Sequence, residues 1–110
     1  MTGTTITVKF HPEMVRAMFD CGKDRTSRLD MLGNIGDTFN LKHPETHEKR
    51  TWRIAEINKH PLKEVAMHMY NKEGFISETD FMKFWNRIYP KCNDPNLTVF
   101  VHMLKGVSAQ

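Results

Sequence analysis

The densest group of chemically active side chains lies between positions 22 and 28, where the sequence reads Gly-Lys-Asp-Arg-Thr-Ser-Arg. Two hydroxyls, on Thr26 and Ser27, stand among three cationic side chains. A hydroxyl is a weak nucleophile, and it becomes reactive when an adjacent base removes its proton. The same cations could instead bind phosphate, or the segment could be an exposed polar turn that leads into a strand.

The spacing within this segment limits which side chains can meet. In a regular strand Arg25 and Ser27 share one face, and Thr26 and Arg28 share the other, because side chains alternate. Lys23 has the opposite parity to Thr26, so the two converge only if Lys23 lies in a turn before the strand. The glycine that precedes Lys23 makes such a turn easy.

Glu73 is a second candidate for chemistry, because Glu73-Gly74-Phe75 follows a predicted helix over Leu62–Tyr70. A carboxylate at a helix C-terminus faces the negative end of the helix dipole, which favours its neutral form. An acid or base catalyst can be prepared in this way. The simpler alternative is a solvent-exposed glutamate at a frayed helix end.

Other candidate sites are weaker. His43 and His47 are four positions apart, as metal ligands on a helix can be, but Pro44 places them in a loop with no third ligand nearby. We therefore predict no metal site, and the absence of a phosphate loop or dinucleotide motif predicts no cofactor. Cys21 and Cys92 are interpreted as core thiols rather than nucleophiles, since Cys21 falls on an apolar helical face.

The elements that must position these residues follow from periodicity and breakers. A helix begins at His11-Pro12 and stops before Gly22, and two helices follow Pro61, the second with a Ser77 cap. Alternation predicts strands at Thr4–Phe10, Arg25–Asp30, Asp37–Lys42, Arg50–Ile57 and Leu97–Leu104. The pattern predicts an α+β domain whose five or six strands curl into a small barrel, with two to three helices at its ends.

Composition and length set the limits on function. The chain has 110 residues, of which 39% are hydrophobic and 26% charged, with a formal net charge of +3. This fits one domain over residues 1–110 and excludes both wholesale disorder and a cleft between two domains. No apolar run approaches the ~20 residues of a membrane helix, and no secretory signal is visible at the N-terminus. We therefore expect no membrane partner, a cytoplasmic location and reduced thiols.

Taken together, these segments resemble the ASCH domain family, which has a PUA-like β-barrel. The resemblance covers nearly the whole chain, and its motifs occur in the family's order. The matching positions are Gly22-Lys23 with Thr26 and Arg28, Gly36-Asp37-Thr38-Phe39, Glu73-Gly74-Phe75 with Ser77, Phe81 and Trp85, and Val99-Phe100-Val101. The first of these matches the family signature Gly-x-Lys-Thr-x-Thr-x-Arg from its lysine onward.

This resemblance implies an RNA-associated protein, and some small family members are N4-acetylcytidine amidohydrolases. Their catalytic residues fall on Lys23 as the base, Thr26 as the nucleophile and Glu73 as the proton donor. A nucleoside or RNA is then the expected ligand. The residues expected to contact it are Arg25, Ser27, Arg28 and Phe75.

The residues leave two other functions open. A non-catalytic RNA-binding module would use the same cations, with Lys72, on phosphates, and Phe75 or Trp52 to stack a base. A ribonuclease would use Lys23 and its partners for phosphodiester chemistry.

The sequence departs from the family pattern at Asp24, where the family usually has a threonine after the lysine. A carboxylate there would keep Lys23 protonated, unless it points to the opposite face.

Overall fold

The computed structural model describes residues 3–107. Within that range the chain forms three helices and four strands, in an order close to the predicted one. These elements are α1 Pro12–Asp20, β1 Arg25–Arg28, β2 Thr38–Lys42, β3 Lys49–Pro61, α2 Leu62–His68, α3 Glu78–Ile88 and β4 Thr98–Val107. The α+β class is therefore confirmed.

One antiparallel sheet, in the order β1-β4-β3-β2, curls into a half-barrel. Its long centre is the β3–β4 pair, which extends from Thr51 opposite Val107 to Pro61 opposite Thr98. A register shift between Ile54 and Glu56 marks a bulge, a feature that bends a strand and increases its twist. The short β1 lies at the edge of the sheet beside β4.

The described residues contain four strands rather than the predicted five or six. The segment from Thr4 to Phe10 is extended, but it makes only an isolated parallel bridge between Thr5 and Thr38. Phe10 stacks on Phe39 at a ring-centroid distance of 5.6 Å, and the segment packs against the core instead of continuing along β2. The chain must then turn into α1, which leaves no room for a longer ladder.

The helix ends follow local chemistry, with two corrections. The predicted Ser77 cap is confirmed, since its Oγ accepts a hydrogen bond from the Asp80 N–H at 3.1 Å. The predicted helix over Leu62–Tyr70 is shorter and ends at His68, because the following residues form a tight turn. Cys21 is exposed rather than in the core, because α1 ends at Asp20 and Cys21 lies past the buried helical face.

Two hydrophobic clusters pack against the curled sheet, and the helices supply part of each. The first cluster combines α1 with β2, β3 and the end of β4: Val15, Met18, Phe39, Leu41, Trp52, Ile54 and Leu104. The second combines α2 and α3 with the start of β4: Leu62, Val65, Ala66, Phe81, Trp85, Val99 and Val101. The edge strand β1 follows the turn after α1, and its first residue is hydrogen-bonded to the turn after α2.

Candidate active site

Lys23 lies in a tight turn between α1 and β1, as its convergence with Thr26 requires. The preceding Gly22 has φ +71°, a conformation that favours glycine. The Lys23 backbone N–H then donates to the carbonyl of Ala17 at 3.1 Å, which ties the turn to the end of α1. The strand begins two residues later, at Arg25.

The Lys23 side chain is buried, with 3% of its residue surface exposed. Its Nζ donates to the carbonyl oxygen of Arg25 at 2.5 Å and to that of Glu73 at 2.6 Å. It also lies 3.7 Å from Oε1 of Glu73. Burial lowers the pKa of Lys23, the nearby Arg28 lowers it further, and Glu73 opposes both. Removal of water thus favours the neutral amine that a general base requires.

The carboxylate of Asp24 is directed away from this amine. Asp24 lies 3.3 Å from a guanidinium nitrogen of Arg25, and its side chain is 43% exposed. Among the groups that shift the pKa of Lys23, Asp24 has the weakest influence and burial the strongest. The departure from the family's threonine therefore leaves the lysine site largely unchanged.

Glu73 faces Lys23 from a second turn, which follows α2. The carbonyl of Lys72 accepts hydrogen bonds from the backbone N–H groups of Asp24 and Arg25, at 3.1 and 3.2 Å, and this joins the two turns. The next residue, Gly74, has φ +95°, and a Cβ placed there would lie 2.9 Å from the Cβ of Ala17. Only glycine fits this approach, which keeps the Glu73 carbonyl and side chain beside Lys23.

The Glu73 carboxylate is buried rather than exposed at a frayed helix end. Since α2 ends at His68, Glu73 lies beyond the last helical turn, and the predicted dipole effect does not reach it. Its environment is set instead by β1. The backbone N–H of Ser27 donates to Oε1 at 3.1 Å, and the Ser27 hydroxyl lies 2.7 Å from Oε2.

Thr26 is buried on β1, where it pairs with His102 of β4. No hydrogen bond within residues 3–107 uses the Thr26 hydroxyl, while its carbonyl accepts one from Nδ1 of His102 at 3.1 Å. Nε2 of His102 accepts from the Leu32 N–H at 2.8 Å, so the proton of the neutral ring is on Nδ1. Burial lowers the pKa of His102, which favours this neutral form.

His102 fixes the backbone that carries Thr26, but sequence reasoning did not single it out. The signal was a lone histidine within the apolar stretch Leu97–Leu104. Such a residue needs polar partners when buried, but the sequence does not show that Thr26 and Leu32 supply them.

Lys23, Thr26 and Glu73 line one cavity of about 270 Å³. Ser27 and Arg28 belong to the same polar wall, and Lys9 also lines the cavity. The opposite wall comes from α1, α3 and the neighbouring loops and is mainly aromatic. The aromatic lining residues are Phe10, His11, Phe75, Phe81, Phe84, Trp85 and Tyr89. A hydroxyl, an amine and a carboxyl group therefore line one cavity beside a surface suited to a flat ring.

Two solved structures resemble this fold. An ASCH domain from Lactobacillus crispatus superimposes with a TM-score of 0.71 at 8% identity, over 96% of this chain and 79% of that chain. A DUF984 protein from Enterococcus faecalis superimposes with a TM-score of 0.63 at 13% identity, over 97% of this chain and 77% of that chain. The sequence matches no protein-family model. It also has no significant match among curated proteins.

The chain has the fold of an ASCH domain. Within this ASCH fold, Arg28 lines the cavity, with its guanidinium 4.9 Å from the Phe10 ring centre and one nitrogen donating to the Lys9 carbonyl at 2.8 Å. Burial lowers the pKa of Arg28. Arg25 does not line the cavity, because its guanidinium turns toward Asp24.

The other residues that the sequence suggested as RNA contacts lie in different parts of the ASCH fold. Phe75 lines the cavity and packs edge-on against Phe81 at a ring-centroid distance of 5.3 Å. Trp52 is buried in the first hydrophobic cluster, away from the polar wall, and Lys72 is exposed outside the cavity. Of these three residues, only Phe75 can contact a ligand bound there.

The histidine loop of this ASCH fold has a structural role. Nδ1 of His43 accepts hydrogen bonds from the N–H groups of Glu45 and Thr46, at 3.1 and 3.2 Å, and Nε2 lies 3.1 Å from Asp20. Both ring nitrogens are thus occupied. Over residues 3–107 no group of three His, Cys, Asp or Glu side chains could hold a metal ion. In the same range no helix is long and apolar enough to cross a bilayer.

Proposed function

We propose that this protein is a hydrolase that removes the acetyl group from N4-acetylcytidine. The observation that supports the proposal most directly is the convergence of Lys23, Thr26 and Glu73 on one cavity, although Lys23 and Glu73 are 50 positions apart in sequence. A base, a hydroxyl and an acid in one water-poor site are the groups that acyl transfer needs.

A single proton shared by Lys23 and Glu73 would prepare both groups. With the proton on Glu73, Lys23 is an uncharged amine whose two N–H groups donate to the carbonyls at 2.5 and 2.6 Å. Its lone pair is then free to accept a proton. Burial lowers the pKa of Lys23, which favours the uncharged amine over the ammonium ion.

The reaction follows in two stages. The Thr26 oxygen attacks the acetyl carbonyl carbon while its proton passes to Nζ of Lys23. The bond from that carbon to N4 then breaks as the Glu73 carboxylic acid protonates N4. Cytidine departs, and an acetyl ester remains on Thr26. Water hydrolyses the ester, acetic acid departs, the Thr26 hydroxyl is restored and the proton on Lys23 returns to Glu73.

The rest of the cavity supports a nucleoside as substrate. Its volume of about 270 Å³ is close to the lower end of the range for small-molecule sites, ~300–1,000 Å³. The ring of Phe75 and its aromatic neighbours offer faces for stacking a pyrimidine. Arg28 supplies a cation on the polar wall, where it can stabilise the oxyanion that forms on the acetyl group.

The test is cytidine release from N4-acetylcytidine, followed by chromatography. We expect turnover by the wild-type protein, and a loss of at least ~100-fold in kcat/KM for both Lys23→Ala and Thr26→Ala. Lys59→Ala and Thr51→Ala are matched controls, since both positions lie outside this cavity and both variants should retain wild-type rates. Wild-type protein that is folded but releases no cytidine would refute the proposal.

A second candidate function is RNA binding without catalysis. It is favoured by Arg28, which forms no salt bridge with a carboxylate within residues 3–107 and lies beside the aromatic wall. It predicts salt-sensitive binding of single-stranded RNA that weakens in Arg28→Ala. Binding titrations at low and moderate salt would decide this, and an absence of binding at low salt would exclude it.

A further inference from the structure

Ser27 uses both of its hydrogen-bond donors on Glu73. The backbone N–H holds Oε1 at 3.1 Å, and the hydroxyl holds Oε2 at 2.7 Å. Each carboxylate oxygen therefore has its own partner on β1. The sequence placed Ser27 among ligand-binding residues, but a hydroxyl that donates its proton to Glu73 cannot at the same time donate it to a substrate.

We propose that Ser27 is a positioning residue that holds the Glu73 carboxyl group against Lys23 in both of its protonation states. The inference rests on the proposed hydrolase function, and it assigns Ser27 a role within that site. Two fixed points on one carboxylate set both its position and its rotation. These two hydrogen bonds keep Oε1 of Glu73 3.7 Å from Nζ of Lys23.

A hydroxyl suits this role because it can donate and accept. When Glu73 is ionised, the Ser27 hydroxyl donates to Oε2. When Glu73 carries the proton, the same hydroxyl can rotate and accept from it, so the contact persists through proton transfer. A backbone N–H or a cation in the place of the hydroxyl could not accept the proton that Oε2 carries when Glu73 is neutral.

The position of Ser27 on β1 links this contact to the nucleophile. Thr26 and Ser27 are adjacent in the strand, so one short segment carries the attacking hydroxyl and the group that fixes the acid. Any movement of Glu73 relative to Ser27 therefore changes the distance between the acid and the reacting bond. Misplacements of about 1 Å can cost ~100-fold in rate.

The kinetic test uses Ser27→Ala, Ser27→Thr and a control, Thr51→Ala. The control removes a hydroxyl that bonds Asn40 on the sheet, outside the cavity. We expect Ser27→Ala to lower kcat by about 10- to 100-fold, with KM changed by less than ~3-fold. Ser27→Thr keeps the hydroxyl and should restore kcat to within ~3-fold, and the control should match the wild type.

A Ser27→Ala variant with wild-type kcat would overturn the inference while leaving the hydrolase proposal intact. A rise in KM alone would also overturn it, because that result indicates direct substrate contact. A crystal structure of Ser27→Ala tests the positioning independently of turnover. We expect the Glu73 carboxylate to leave its place near Lys23, and an unmoved carboxylate would refute the role even if the wild type proved inactive on N4-acetylcytidine.

Discussion

Two buried carboxylates in this protein accept similar hydrogen bonds but have different neighbours. Asp37 and Glu73 are 6% and 3% exposed, and each accepts hydrogen bonds from a backbone N–H and a hydroxyl. Asp37 receives the N–H groups of Thr4 and Asn34, at 3.0 and 2.8 Å, and forms no salt bridge within residues 3–107. Glu73 has Lys23 beside it and a cavity in front of it.

The difference shows that burial and hydrogen bonding alone do not distinguish a carboxylate that stabilises a turn from one that faces a lysine and a cavity. Asp37 holds together the turn before β2 and the extended N-terminal segment. Its backbone hydrogen bonds lower its pKa and keep it ionised. Glu73 has the Lys23 amine beside it and lines the cavity in which we propose that a ligand binds. We therefore expect Asp37 variants to lose stability and Glu73 variants to lose activity.

The largest expected effect is on activity in Glu73→Gln. The amide keeps the size of the side chain but cannot deliver a proton to N4, so kcat/KM for N4-acetylcytidine should fall by about 100-fold or more. The assay is cytidine release, with the unfolding midpoint measured in parallel. Activity that persists in the folded variant would remove Glu73 from the mechanism.

The next effect is on stability, in Asp37→Asn. The carboxamide accepts hydrogen bonds through one oxygen only, so one of the N–H groups from Thr4 and Asn34 loses its partner, and the unfolding midpoint should fall by several degrees. Activity per folded molecule should remain at the wild-type level. A variant as stable as the wild type but inactive would reverse the roles assigned to the two carboxylates.

The ionised carboxylate of Asp37 should also make the stability of the wild-type protein depend on pH in the acid range. Since the folded state lowers the pKa of Asp37 below its ordinary value of 3.8, the stability it contributes is present above that pH and is lost as the pH falls below it. Denaturation midpoints measured from about pH 5 to about pH 2, on both sides of 3.8, follow this loss of stability. Asp37→Asn should lose less stability over that range, and equal losses would contradict the assignment.

His102 should make a smaller contribution to the pH dependence of stability, at milder pH. Burial lowers its pKa below the ordinary 6.5, so the unfolded chain binds the proton first and stability declines as the pH falls below 6.5. His102→Gln should remove this part of the decline, although its overall stability will be lower. Chemical denaturation from about pH 7.5 to 5.5 compares the two slopes. Identical slopes would show that His102 does not titrate in this way.

The smallest effect is expected for Asp24→Asn. Asp24 is partly exposed and has the weakest influence among the groups that shift the pKa of Lys23, so kcat should change by less than ~3-fold. Initial rates at low and high salt measure this, because salt screens exposed charges. A large gain in activity would mean that Asp24 restrains Lys23 more than its position indicates.

Local signals in the sequence predicted most of the elements correctly. Gly22 stops α1, Ser77 caps α3, and alternation in Thr38–Lys42 gives β2, because each depends on neighbouring residues alone. The signals failed where distant contacts decide the outcome. The segment after Thr4 forms a single bridge rather than a strand, and α2 ends early because the following turn docks on residues 23–25.

The sequence by itself determined the α+β class and the turn that carries Lys23, since these follow from periodicity and breakers. The candidate roles of Lys23, Thr26 and Glu73 came from the resemblance to the ASCH family. The tertiary structure decided the rest. It turned Arg25 and Asp24 outward, placed His102 under Thr26 and fixed both oxygens of Glu73 on Ser27. The contacts of His102 and Glu73 join residues that are far apart along the chain, and the burial that lowers the pKa of Lys23 exists only once the chain has folded.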